Sequence, residues 1–137
     1  LPTLLSFCSS LLMSFHSATA ISNDWYPRHR DCGGVIKTEY GIIATYYGPN
    51  TECVWTIEMD PEFQVAVDIP HLRLTCNKEY VEILDGPPES NSYGKICKGL
   101  NLEYRSSSNV MTVKYSRQSD HPASSYEIIF FKNPQGR

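Results

Sequence analysis

The chain contains no HExxH, no GxSxG and no zinc-type C-x-x-C, so metalloprotease, serine-hydrolase and dithiol chemistry each lack their usual motif. Beyond residue 20 the histidines are His29, His71 and His121, isolated from one another in sequence and read as exposed loop residues. The run Ser106-Ser107-Ser108 sits in a turn ahead of a strand, where hydroxyls bond nearby backbone groups. No catalytic residue and no cofactor are expected. Helical periodicity is missing too, since no stretch keeps apolar residues at i, i+3 and i+4 for three turns. Positive charge is not in excess. The formal net charge is −3, which gives no overall attraction to nucleic acid or anionic lipid. Asn-x-Ser/Thr acceptors are absent after residue 20, because Asn50-Thr51-Glu52 and Asn91-Ser92-Tyr93 both fail at the third position. Internal repeats and low-complexity linkers are also absent.

Residues 1–20, LPTLLSFCSSLLMSFHSATA, carry no Lys, Arg, Asp or Glu. They are apolar from Leu4 to Phe15 and end in Ala18-Thr19-Ala20, the pattern of a secretory signal peptide whose extreme N-terminus is missing. A membrane-spanning helix would need about 20 apolar residues, and Ser6, Ser9, Ser10, Ser14 and His16 interrupt this stretch. Cleavage near Ile21 would remove Cys8 and release a single secreted domain. The expected organisation is a signal peptide at 1–20, an N-terminal segment at 21–31, the domain proper at 32–132 and a tail at 133–137.

Four further cysteines, Cys32, Cys53, Cys76 and Cys97, fall into two pairs of equal internal spacing. An even count in a secreted chain reads as two disulfides. Four cysteines allow three pairings, and spacing alone does not choose among them.

Strand signals fill the space between the cysteines. Residues 41–47 form an apolar and aromatic run stopped by Gly48-Pro49-Asn50, and Cys53, Trp55 and Ile57 then share one face. Period-two alternation recurs through Phe63, Val65, Val67 and Ile69, through Val81 and Ile83, through Met111, Val113 and Tyr115, and through Tyr126, Ile128 and Phe130. Asp60-Pro61, Ile69-Pro70, Asp85-Gly86-Pro87-Pro88 and His121-Pro122 punctuate them. Short half-buried antiparallel strands with regular turns imply an all-β sandwich or jelly roll.

Cys32-Gly33-Gly34, Cys53-Val54-Trp55-Thr56-Ile57, Tyr80 to Gly86, Gly94-Lys95-Ile96-Cys97, Arg105 to Asn109 and Met111 to Tyr115 stand in the order and spacing of a CUB domain, which the chain resembles along nearly its whole length after residue 20. Asp24 to Arg28, Ala44 to Pro49, Cys76 to Glu79 and His121 to Ser124 resemble, more narrowly, the spermadhesins, single-CUB proteins of ungulate seminal plasma. The similarity is greatest to their acidic seminal fluid protein and bodhesin branch. The resemblance implies a jelly-roll sandwich of two antiparallel sheets, and it implies the sequential pairing Cys32–Cys53 and Cys76–Cys97.

It also implies a function in surface recognition: a seminal-plasma protein that coats sperm and takes part in gamete or reproductive-tract recognition through glycans, phospholipids or partner proteins. Homo- or heterodimers with other spermadhesins are a further implication. A soluble growth-promoting or antioxidant factor is the alternative, although free-thiol chemistry is awkward once every remaining cysteine is paired.

Many CUB domains hold calcium through carboxylates, but alignment on Cys76 puts His71, Glu79 and Arg117 at the acid positions, with Asp120 entering only if the loop shifts. Too little negative charge remains for a hard divalent cation, and no metal site is expected. Glu79 is then read as a solvated strand-edge carboxylate. The basic residues Arg28, Arg30, Lys95, Lys98 and Arg105 lie in separate segments interspersed with acids, so weak or no heparin binding is expected. A glycan site would use aromatic faces beside hydrogen-bonding groups, with Tyr46, Tyr47 and Asn50, or Asn91 and Tyr93, as the candidates.

Overall fold

The computed structural model describes residues 26–135. The proposed signal peptide and Cys8 lie outside that span, as do the last two residues. Ten strands follow one another: β1 (Arg28–His29), β2 (Gly34–Ile36), β3 (Tyr40–Ala44), β4 (Glu52–Glu58), β5 (Phe63–Arg73), β6 (Glu79–Leu84), β7 (Ser92–Ile96), β8 (Lys98–Arg105), β9 (Val110–Arg117) and β10 (Glu127–Pro134). They form two five-stranded sheets, one in the order β1-β3-β10-β5-β8 and the other β2-β4-β9-β6-β7. No helix occurs among the described residues.

The alternation read from the sequence is the alternation that builds the core. Cys53, Trp55 and Ile57 of β4 are buried while Val54 and Thr56 are half-exposed, and β10 alternates in the same way. Strand β9 buries Met111, Val113 and Tyr115 but also Thr112, whose hydroxyl donates to Gly86 O at 2.7 Å. Ile43, Ile57, Val65, Val67, Ile69, Ile83, Met111, Val113, Ile128 and Phe130 have no accessible surface. Burying each such side chain contributes roughly 1.5–3 kcal/mol. Trp55 keeps its polar handle satisfied by donating its indole N–H to the carbonyl of Asp31 at 3.1 Å.

Two features differ from the expectation. The sheets are mixed rather than purely antiparallel, because β1 runs parallel to β3 and β2 parallel to β4 at the sheet edges. Both parallel strands precede their partners closely in sequence, and they are short enough that alternation never declared them. In addition, β5 does not stop at Ile69-Pro70 but continues to Arg73. Its neighbour β10 has its last pairing on that side at Asp68, opposite Ile129. Beyond that point Pro70 faces a free flank, where a missing N–H breaks no ladder.

Both disulfides join sequential cysteines, Cys32–Cys53 with Cα atoms 4.7 Å apart and Cys76–Cys97 with Cα atoms 5.3 Å apart. Gly33 has φ +91°, and a Cβ there would stand 2.5 Å from the carbonyl oxygen of Val54. Only glycine lets the chain turn out of Cys32 and lie against β4 at that distance.

Candidate functional site

The end of the sandwich where β6 begins and β9 finishes is built around a buried charge. Glu79 and Arg117 are cross-strand partners there. Glu79 lies on the same face of β6 as buried Val81 and Ile83, and its side chain is wholly buried. This corrects its reading as a solvated edge carboxylate. The segment after β9 folds back over it, which alternation in β6 alone does not announce, although the shared face with Val81 and Ile83 was a usable signal.

Every lone-pair direction of that carboxylate is engaged. One oxygen accepts from the Tyr115 hydroxyl at 2.6 Å and the Ser124 amide at 2.7 Å, and the other from the Thr75 amide at 2.8 Å and the Ser124 hydroxyl at 2.5 Å. The imidazole Nε2 of His121 stands 3.4 Å from the second oxygen. Burial pushes the Glu79 carboxyl up, but the bonds from Ser124, Tyr115 and Thr75 outweigh it and hold the group down at about 2. Tyr115 is pushed well above the usual phenol range by burial and by its bond to Glu79. Its ring stacks on Tyr126 at 4.7 Å, joining β9 to the chain entering β10, and burial pushes Tyr126 up to about 12.

Arg117 points its guanidinium at backbone carbonyls. Its strongest bond goes to His121 O at 2.9 Å, with longer contacts to Gly48 O at 3.4 Å, Pro49 O at 3.3 Å and Asn50 O at 3.5 Å. The three longer contacts act as one cationic cap over converging carbonyl dipoles more than as separate strong bonds. The turn that it caps is wrapped on its own aromatic ring. Asn50 N–H donates to the Tyr46 hydroxyl at 3.4 Å, and a Cβ on Gly48 would meet that hydroxyl at 2.1 Å.

Tyr47 stands on this turn with 71% of its surface exposed. One cleft beside it, of about 360 Å³, is lined by Arg30, Thr45, Tyr47, His71, Ser125 and Glu127. A second, of about 420 Å³, is lined by Tyr47, Gly48, Arg117, Asp120, His121 and Pro122. The Tyr47 and Ser125 hydroxyls meet at 3.4 Å between them. An exposed aromatic face flanked by hydroxyls, an imidazole and carbonyls can stack on an apolar ring face while the polar groups hold its substituents.

The sequence candidates separate accordingly. Tyr46, Tyr47 and Asn50 are brought together, with Tyr46 half-buried against the core as the ring beneath the turn. Asn91 and Tyr93 lie at the opposite end, about 20 Å away by the strand rise. There the Tyr93 hydroxyl donates to Arg105 O at 2.9 Å, and Asn91 O accepts the amide of Asp85. Ser106 behaves as its turn position implied. It is buried, accepts from Val65 N and donates to Ser108 O.

The basic residues do not form one track. Arg28 on β1 binds Glu127, while Lys98 and Arg105 lie on β8, at the far edge of the same sheet and roughly 19 Å away at strand spacing. Arg105 is held by Asp68 at 3.1 Å and Glu103 at 3.5 Å. Lys95 belongs to the other sheet, with its ammonium over the Tyr80 ring at 4.6 Å. Arg30 lines the Tyr47 cleft. Of the four positions weighed for calcium, Glu79 is saturated by donors and Arg117 supplies its own cation, and no three His, Cys, Asp or Glu side chains converge for a metal among the described residues.

Sequence reasoning missed His121, Ser124 and Ser125 as partners of Tyr47 and Glu79. The run His121-Pro122-Ala123-Ser124 was visible, but only the fold places it against β6 and the Tyr47 turn.

Comparison with known proteins adds a second line of information. The CUB domain family profile matches residues 32–130. The chain is 56% identical to the major seminal plasma glycoprotein PSP-I of Sus scrofa, over 89% of this chain and 91% of that one. It is 48% identical to the carbohydrate-binding protein AWN of Sus scrofa, over 93% and 83%. To spermadhesin Z13 of Bos taurus it is 46% identical, over 72% and 85%.

Proposed function

The chain belongs to the spermadhesins, single-CUB binding proteins that are not enzymes, and from that premise we propose that it is a secreted seminal-plasma protein that attaches to the sperm surface by recognising glycans. One observation carries the placement of the site: Tyr47 presents its ring to solvent between two polar-lined clefts. The relative named as carbohydrate-binding supports the ligand class. The Tyr47 ring would stack on the apolar face of a sugar, with Ser125, His71 and the His121 segment within reach of its hydroxyls.

The test is attachment of purified protein to washed sperm and to a glycan array, with and without competing free sugar. Saturable, sugar-competed binding is expected. Tyr47→Ala should weaken it by tenfold or more while leaving the melting temperature within a degree or two, because an exposed ring contributes little to folding. On a heparin column near physiological salt the protein should pass with little retention, since its cations are dispersed and partly paired. Sperm attachment that ignores every sugar, or a Tyr47→Ala protein that binds as well as the parent, would reject this reading. The alternative of an antioxidant factor acting through free thiols finds no support in the described cysteines, all of which are bonded.

A further inference from the structure

We propose that the cross-strand pair Glu79 and Arg117 positions the glycan site, with Arg117 bridging the Tyr47 turn and the facing wall and Glu79 holding that wall. This rests on the reading of Tyr47 as the binding residue and adds to it the device that keeps the residue in place.

Past Tyr46, the Tyr47 turn has little else to hold it. Residues 45–51, between the end of β3 and the start of β4, lie outside any strand, and Tyr47 itself is mostly exposed. Thr45 and Tyr46 are tied to Tyr126, by the Tyr126 amide donating to the Thr45 hydroxyl at 2.8 Å, that hydroxyl donating to Tyr126 O at 3.2 Å and the Tyr46 amide donating to the Tyr126 hydroxyl at 3.3 Å. Past them the ties are the Tyr46 ring, the single Tyr47–Ser125 contact, the backbone bond from Arg117 N to Thr51 O at 2.9 Å, and the guanidinium over Gly48, Pro49 and Asn50. The facing wall, residues 121–125, is equally irregular. It hangs on Arg117 through His121 O and on Glu79 through both donors of Ser124.

Adjacent strands therefore present opposite charges to the two walls. The guanidinium meets backbone acceptors in both walls and the carboxylate meets donors in residues 121–125 alone, so the turn depends on Arg117 and the facing wall on both anchors. Both anchors sit on β6 and β9, inner strands of a sheet, and pass that rigidity to two segments without regular structure. A binding surface held in place before its ligand arrives loses less conformational freedom on binding. The planar fork of arginine reaches both walls, Nη1 donating to His121 O and Nη2 facing the three carbonyls of the turn, whereas a lysine ammonium acts as a point charge.

Hydrogen exchange on the intact protein, read at the hydrogen-bonded turn amides of Tyr46 and Asn50, together with glycan affinity, tests this. Arg117→Ala should speed exchange at those amides by tenfold or more and weaken glycan binding by a similar factor, with the β4 and β9 core amides unchanged. Arg117→Lys should fall between. Methylguanidinium at low millimolar concentration, far below denaturing levels, should restore both properties to Arg117→Ala and do nothing to Tyr47→Ala. Glu79→Gln should loosen the amide of Ser124 in preference to those of Tyr46 and Asn50. Parent-like exchange and affinity in Arg117→Ala would overturn the proposal, as would equal exchange in the Lys and Ala variants with no rescue. If Arg117→Ala does not fold, the Lys variant decides by the same amides. If the parent protein binds no glycan, the functional reading fails, and the exchange and rescue measurements still decide whether Arg117 orders the turn.

Discussion

Glu79→Ala is expected to destabilise the domain by about 3–5 kcal/mol, as deletions of one member of a buried charged network do. The substitution leaves the Tyr115 hydroxyl, the Ser124 amide and hydroxyl and the Thr75 amide without an acceptor. Each buried donor left unsatisfied costs about 1–3 kcal/mol, relieved where water can enter. The melting temperature should fall by more than about 10 °C. A loss under about 1 kcal/mol would mean that the carboxylate is solvated after all. The same network makes stability acid-sensitive. The carboxyl moves from 4.5 to about 2 on folding, so its contribution is fully present above pH 4.5 and is lost as pH falls toward 2. A shift of that size corresponds to roughly 3 kcal/mol. Urea midpoints of the parent should therefore drop across this window more steeply than those of Glu79→Gln.

Reducing both disulfides should have the larger effect. Each closes a loop with a sequence separation of 21, for which restricting the unfolded chain is worth about 3 kcal/mol. The loss of both would approach the whole stability of an ordinary small domain, about 5–15 kcal/mol. Reduced protein is expected to be largely unfolded at 37 °C by circular dichroism. The double variant Cys76→Ala with Cys97→Ala should retain the fold with a midpoint lowered by about half the combined loss. A reduced protein that melts where the oxidised one does would refute this, and a non-reducing peptide map with any Cys53–Cys76 link would contradict the pairing itself.

What was legible in the sequence was whatever period two and the cysteines encode. Trp55, Val113 and Phe130 announced buried faces because antiparallel strands covered on one side must alternate, and the structure buries each of them. The pairing of the cysteines was not written in their spacing. It came from resemblance, and the fold bears it out. The two-residue β1 and three-residue β2 were illegible because strands that short have no period to read. Pro70 misled for a different reason, since proline ends a strand only where its N–H would have been needed. At the site, Tyr47 and Asn50 could be nominated from chemistry, whereas Arg117, His121 and Ser124 could not. Their roles depend on a segment folding back on β6, a contact across 45 residues of sequence from Glu79 to Ser124.

The strand order also bears on how the protein is made. In each sheet a late strand is an inner one: β9 stands between β4 and β6, and β10 between β3 and β5. A ribosome delivers them after all their neighbours. Until Glu127 to Pro134 emerge, β3 and β5 have no common partner and their facing edges stay unpaired, so that sheet cannot be completed stepwise from its beginning. Such long-range pairing folds slowly and exposes apolar strands meanwhile. Cys32 and Cys53 both precede β9 and β10 in the chain, so that bridge has the opportunity to form in the oxidising compartment while the nascent chain is still waiting for the strands that complete its sheets.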